Sequence, residues 1–220
     1  MLKPIEYVDK GTDYSASDFT RPAYQLWISK RKDVYKNTEQ EEVFNASFVG
    51  SLIHQNSESL NEINVIKEFS TIKKLGKYTI GGTIDRLVLD KNGAVIIEDI
   101  KSGGHFPMLQ KWKEKEKDNQ DWVTQLSVYR WLISSVFKQV ETYGKIHVFV
   151  LGYQKNKDNM PVTWNTKVWL NEHIDTYMKI KIDIAESDTE PKKDCEKWRC
   201  SYCDYSTYCQ TRNNKPKEFS

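Results

Sequence analysis

Apolar positions along this chain follow two rhythms. The segments at about 66–74, 77–90, 94–101 and 145–154 are short and rich in Ile, Val and Leu, bounded by turn residues, as strands should be. The segments at about 17–31, 41–61, 121–138 and 167–186 carry apolar residues at helical spacing. In Asp121–Phe137 (DWVTQLSVYRWLISSVF), Gln125 and Tyr129 are four apart and share a helix face. Together these elements predict an α/β fold in which a β-hairpin and a helix are followed by a further strand, Gly144–Gly152.

The hairpin is the most informative stretch. Ile84–Leu89 and Ala94–Ile100 flank Asp90-Lys91-Asn92-Gly93, and Asn-Gly is a strong turn signal. A three-residue turn with Gly93 in the left-handed conformation places Asp85 opposite Asp99. A two-residue Asn-Gly turn places it opposite Ile100. Facing residues lie about 5 Å apart at Cβ and diagonal neighbours about 7–8 Å, so either register keeps the carboxylates close. Alternation puts Val95, Ile97, Asp99 and Lys101 on one strand face and Glu98 on the other, where pairing with Arg86 is expected. Charges at the end of an apolar strand are costly unless paired or bound to metal. Two carboxylates and a lysine suit Mg²⁺ or Mn²⁺, which take oxygen ligands, with the lysine steadying an attacking water. The bland alternative is an ordinary hairpin with a solvated Asp-x-Lys end.

In order along the chain stand Ser15-Ala16-Ser17 with Arg21-Pro22, Gly50-Ser51-Leu52-Ile53-His54, Gly82-Thr83-Ile84-Asp85, Asp99-Ile100-Lys101-Ser102-Gly103 and Gln125-Leu126-Ser127-Val128-Tyr129. This succession resembles the motifs of the PD-(D/E)XK nuclease superfamily, RecB-type branch, over roughly Tyr14 to Cys209. The resemblance implies a restriction-endonuclease-like core, a mixed central sheet flanked by helices. It implies Asp85 and Asp99 as carboxylate metal ligands, the Ile100 carbonyl and His54 as further ligands, and Lys101 as the residue that positions water. Gln125 and Tyr129 would line the site and touch the DNA strand. Without that context, His54 would be read as a packed histidine and Gln125/Tyr129 as a polar pair at a helix edge. Glu68 is a candidate supporting carboxylate. His105 reads as a loop residue and His147 as packing.

All four cysteines lie in one segment, Cys195, Cys200, Cys203 and Cys209, spaced C-x4-C-x2-C-x5-C. Such density suits zinc or an iron–sulfur cluster. Disulfides are the other reading, disfavoured because nothing marks the chain as secreted. The last three cysteines resemble the C-terminal triplet that holds a [4Fe–4S] cluster in the RecB-type branch. There the fourth ligand lies far upstream, but Arg21 stands before Pro22 here, leaving Cys195 as the replacement. A [4Fe–4S] cluster is favoured over Zn²⁺, and either would staple the C-terminal segment to the body.

Composition narrows the picture further. The 220 residues are 38% hydrophobic and 29% charged, with net charge +2, so overall charge does not announce a nucleic-acid binder. Lys30–Lys32, Lys73-Lys74 and Lys111–Lys117 are the local candidates for phosphate contact, and Trp112, Trp122 and Tyr129 for base stacking. Mean hydropathy is -0.70. No run approaches the roughly 18 apolar residues of a membrane helix, and the first residues lack a signal peptide's apolar region. The expected organisation is a nuclease domain at 1–190, a Cys₄ metal segment packed on it at 191–210 and a polar, disordered tail at 211–220.

The function expected is a divalent-metal-dependent DNA nuclease. It leans towards exonuclease action on single strands or DNA ends, in replication, recombination or repair, with partner proteins from those processes. The setting would be the cytoplasm of a bacterium or phage-infected cell, without membrane attachment. A catalytically inactive nucleic-acid-binding module of the same fold is the alternative, and a zinc-stabilised interaction domain the third.

Overall fold

A computed structural model describes residues 11–31, 63–113, 119–151, 160–195 and 203–213 of the chain. The polypeptide divides into two compact units, Met1–Thr20 with Asn45–Asp175, and Arg21–Phe44 with Thr176–Ser220. This division runs through the span 1–190 rather than at its end.

The first unit is built on a six-stranded mixed sheet. Its strands are β1 (Tyr14–Ser15), β2 (Val65–Leu75), β3 (Tyr78–Leu89), β4 (Val95–Gly104), β5 (Val140–Leu151) and β6 (Thr163–Trp169). β2 runs antiparallel along one edge of β3, from Val65↔Val88 to Leu75↔Tyr78. The other edge of β3 is shared by β1, parallel at Tyr14↔Ile80, and β4, antiparallel from Arg86↔Glu98 to Leu89↔Val95. β4 and β5 pair in parallel and β5 and β6 antiparallel.

The hairpin between β3 and β4 takes the three-residue form. Gly93 N–H donates to the Asp90 carbonyl at 3.0 Å and Asp90 N–H to the Ala94 carbonyl at 2.9 Å. Gly93 sits at φ +81°, a left-handed conformation that glycine adopts at no steric cost. The Asp90 carboxylate accepts from Asn92 N and Ala94 N, which locks the turn. Carrying this register one step past Arg86↔Glu98 sets Asp85 opposite Asp99.

Helix α2 (His105–Lys113) follows β4, and α3 (Gln120–Ile133) follows α2. Asn119 caps α3, its side chain accepting from Trp122 N. α3 buries Leu126, Val128, Leu132 and Ile133 against the sheet face that carries Ile97 and Ile146. The approach is close: a Cβ on Gly82 would stand 2.8 Å from Tyr129 Cε1 and 3.3 Å from Leu132 Cδ1. Truncating a fully buried leucine of this layer costs about 2–5 kcal/mol. On the same face Trp112, Trp122 and Trp164 form an aromatic cluster, with ring centroids 5.5 and 5.9 Å apart.

In the second unit, α1 (Ala23–Ser29) starts after Pro22, and the Asp194 carboxylate accepts from Ala23 N and Tyr24 N at 2.8 and 3.0 Å. An anion there satisfies two orphan donors of the helix N-terminus. Tyr24, Trp27, Ile28 and Tyr205 form a buried cluster, on which Cys195, Cys203, Tyr208 and Cys209 pack. Burial, and then the hydrogen bond and charge of Glu190, push the Tyr24 hydroxyl well above its ordinary pKa. Helix α4 (Ile174–Glu186) begins at the end of the first unit and continues in the second, and α5 is Ser206–Asn213.

Several sequence expectations need correction. The helix expected at 17–31 is a 3₁₀ turn, Ala16–Thr20, and a separate α1, because Pro22 supplies no N–H. The helix expected at 167–186 starts only at Ile174, and Lys167–Trp169 belong to β6. His105 opens helix α2 rather than lying in a loop. Helix α5 continues to Asn213, into the span expected to be disordered. The segment 41–61 lies outside the described residues. Among the described residues no helix is long and apolar enough to cross a membrane.

Candidate active site

The site forms where the pairing of β3 with β4 stops, beside α3. Asp99 is 1% exposed. Its Oδ2 lies 2.8 Å from Lys101 Nζ, yet that oxygen receives no directed hydrogen bond among the described residues. Asp85 Oδ2 accepts from Ile100 N at 2.7 Å. Lys101 Nζ also donates to Gln125 Oε1 at 2.8 Å, and Gln125 Nε2 donates to the Tyr129 hydroxyl at 2.9 Å. Asp85, Asp99, Lys101, Gln125 and Tyr129 therefore form one connected polar group, although they come from three elements.

The motifs explain each other's residue types. Gly82 lacks a side chain because Tyr129 fills the space a Cβ would take. Tyr129 is thereby held with its hydroxyl on Gln125, and Gln125 holds Lys101. Glu68 faces Asp85 across β2 and β3, at the one step of that ladder where pairing lapses, and it has φ +50°. It adds negative charge at Asp85.

Charge in this corner is unbalanced. Burial first, and then the charge of Asp99, push the Asp85 carboxyl up to about 8, although Ile100 N–H and Lys101 oppose them. Like charges this close resist ionising together. An oxygen-loving cation would relieve both terms, and the undonated Oδ2 of Asp99 is a ligand atom in waiting. The residues present thus fit Mg²⁺ or Mn²⁺ in chemistry. Two carboxylates suffice for such an ion when waters and substrate phosphate complete its shell. Among the described residues no three His, Cys, Asp or Glu side chains gather as a metal-binding group. His54 lies outside the described residues.

The same holds for the cysteines. Cys195, Cys203 and Cys209 share the aromatic cluster of the second unit without forming a ligand group, and Cys200 lies outside the described residues.

On the opposite sheet face, Glu98 is 5% exposed and pairs as expected with Arg86, Nε to Oε2 at 3.2 Å. Lys145 Nζ lies 3.2 Å from Oε1 and His147 Nε2 2.9 Å from Oε2, while His147 Nδ1 meets Asn165 Oδ1 at 2.8 Å. His147 is thus an ion-pair partner rather than simple packing. Burial pushes Glu98 up, but the hydrogen bond and charge of His147, and then Lys145, outweigh it and hold the carboxyl at about 2.

Several candidate substrate contacts are engaged otherwise. Arg31 lies over Trp27 in the second unit, and in the first Lys73 lies over Trp131 and Lys111 over Trp122. Trp122 and Tyr129 are 5% and 6% exposed, too buried to stack on bases. A separate open cleft of about 700 Å³, lined by Trp131, Phe137 and Glu141 among others, holds none of the site residues.

The sequence profile of the PD-(D/E)XK nuclease superfamily matches residues 12–210. The chain belongs to that superfamily. Among solved structures it is similar to the crystal structure of SSO0001, at 19% identity and TM-score 0.59, covering 96% of this chain and 89% of that one. It is also similar to an alkaline exonuclease, LHK-Exo from Laribacter hongkongensis, at 13% identity and TM-score 0.51, covering 90% and 93%. At these identities the likeness speaks for the fold. No curated protein sequence matches significantly.

Proposed function

We propose that this protein is a Mg²⁺- or Mn²⁺-dependent DNA nuclease that hydrolyses phosphodiester bonds at Asp85, Asp99 and Lys101. The observation that carries the reading is the unbalanced carboxylate pair, with an undonated, buried Asp99 oxygen beside a lysine held by Gln125. Superfamily membership and the intact acidic pair both favour this over an inactive binding module.

In this reading Asp85 and Asp99 hold the cation, with the Ile100 carbonyl and His54 as further ligands. The cation supplies charge neutralisation and Lewis acidity towards the phosphate and water. Lys101, held by Gln125 beside Asp99, orients the water and offsets negative charge on the phosphoryl oxygens. The water oxygen adds to phosphorus and gives up a proton to solvent, while the ester P–O bond breaks and the leaving oxygen takes up a proton from solvent. Gln125 and Tyr129 fix the position of Lys101 Nζ. Exonuclease action on single strands or ends is favoured by the likeness to an alkaline exonuclease. We place the enzyme in the cytoplasm, in DNA replication, recombination or repair, with a Cys₄ segment at 191–210 able to hold [4Fe–4S] or Zn²⁺ once Cys200 is included.

The test is digestion of end-labelled single- and double-stranded DNA with Mg²⁺, Mn²⁺ or EDTA. Cation-dependent shortening from one end is expected. A folded, cation-loaded protein that cuts no substrate would overturn the reading.

A further inference from the structure

One cross-strand row on the sheet face opposite the acidic pair stands outside the proposed chemistry. Register brings Lys67, Arg86, Glu98, Lys145 and Lys167 side by side, one from each of β2, β3, β4, β5 and β6. Four cations thus flank a single carboxylate. At about 4.8 Å between strands the row spans about 19 Å, the rise of roughly five or six nucleotides of one B-form strand.

The β6 end of the row carries aromatic surface. Lys167 Nζ lies 3.8 Å from the Tyr143 ring centroid and 4.1 Å from that of Trp169, and Tyr143 faces Trp169 across the strands. Trp169 is 56% exposed, unlike the tryptophans of the α3 face. Trp169 and Tyr143 thus set aromatic surface at the end of the charged row, with their ring centroids 6.1 Å apart. Lysine beside a ring that keeps open surface combines the two elements of single-strand recognition, phosphate attraction and base stacking.

We propose that this row is a docking ledge for single-stranded nucleic acid, with Lys145 and Lys167 meeting phosphates and Trp169 stacking a base. Lys145 and Lys167 fit a polyanion, and the open face of the tryptophan favours nucleic acid over an acidic protein. The proposal rests on the nuclease reading only for the choice of polymer. It assigns the ledge to a part of the strand beyond the one being cut, so its effect should grow with substrate length.

The experiment is fluorescence anisotropy of a labelled 30-nucleotide DNA in EDTA, where nothing is cut. The double variant Lys167→Gln/Trp169→Ala is compared with the wild type and with Lys91→Gln, a charge control on the exposed hairpin turn. Loss of one stacked base and one phosphate contact should weaken binding at least about tenfold and reduce the salt slope by about 0.7. With Mn²⁺, kcat on a tetranucleotide should be unchanged while KM on the long strand rises. Affinity and salt slope equal to those of Lys91→Gln would overturn the proposal. So would an equal loss of polyglutamate binding in Trp169→Ala, which would assign the ledge to an acidic protein. A protein that binds through the ledge yet cuts nothing would defeat the nuclease reading alone.

Discussion

Glu98 and Asp99 are neighbours in the chain and are both buried, yet their surroundings differ completely. Glu98 faces Arg86, Lys145 and His147 and is held at about 2, a carboxylate saturated with partners. Asp99, one residue on and on the other face, has Lys101 as its one ion-pair partner among the described residues, and burial, with the charge of Asp99 second, pushes Asp85 up to about 8. Strand alternation produces the contrast at no cost in sequence length. The satisfied carboxylate ties together charges from three strands, β3, β4 and β5. The unsatisfied pair keeps a deficit that only a cation can make good, and such deficits mark working sites.

A large effect, second only to that of losing Asp99 itself, is expected from Lys101→Ala. It should lower kcat on DNA by about 10²–10³, the scale of losing one electrostatic stabiliser, with cation affinity retained. Single-turnover cleavage kinetics would read it; a loss of less than about threefold would remove Lys101 from the chemistry.

Glu98→Ala should act on stability instead, costing about 1–3 kcal/mol by stripping Arg86, Lys145 and His147 of the carboxylate they share. Urea denaturation measures this. The pH dependence has a definite sign. The folded pKa is about 2 against an ordinary 4.5, so the contribution is present above pH 4.5 and fades as pH falls from 4.5 to about 2. In Glu98→Gln this acid limb should flatten by about 2 kcal/mol, allowing for the partial exposure of Lys145 and His147.

Gly82→Ala comes next. The added methyl meets Tyr129 at 2.8 Å, and α3 must shift to admit it. A cost of about 1–3 kcal/mol is expected, with cleavage reduced because Gln125 moves with Tyr129. An unchanged Tm and rate would show that α3 does not hold Lys101 in place.

The smallest effect is the opposite in sign. Metal-free protein should lose stability as pH rises from about 4 towards 8, since the unfolded chain gives up the Asp85 proton near 3.8 and the folded chain keeps it to about 8. Asp85→Asn removes that loss. At pH 9 in EDTA the variant should be about 1 kcal/mol more stable than the wild type while cutting nothing, as expected where function and stability conflict. Calorimetric melting would show it, and a less stable variant would contradict the burial of unbalanced charge.

The hairpin was legible because turn chemistry is local. Asn92-Gly93 with Asp90 dictates the turn, and the turn dictates the partner of Asp85. The helix carrying Gln125 and Tyr129 was legible from its spacing, and the Glu98–Arg86 pair from alternation. What escaped depends on distant packing. β6 reads T-W-N-T-K-V-W, in which only Trp164 and Val168 are buried, and so short an alternation was taken for the start of a helix. His147 looked like packing because its partner Glu98 is 49 residues away. The role of Gly82 as a seat for Tyr129 shows in sequence only as a glycine before a tyrosine 47 positions on, and the charged row needs four registers at once.

The most direct test sets the two neighbours side by side: cleavage of end-labelled DNA in Mn²⁺ by Asp99→Asn and by Glu98→Gln. The account predicts a fall of at least about 10³ for Asp99→Asn and a rate within about threefold of the wild type for Glu98→Gln, given that both fold. Equal rates in the two variants, or the larger loss in Glu98→Gln, would contradict it.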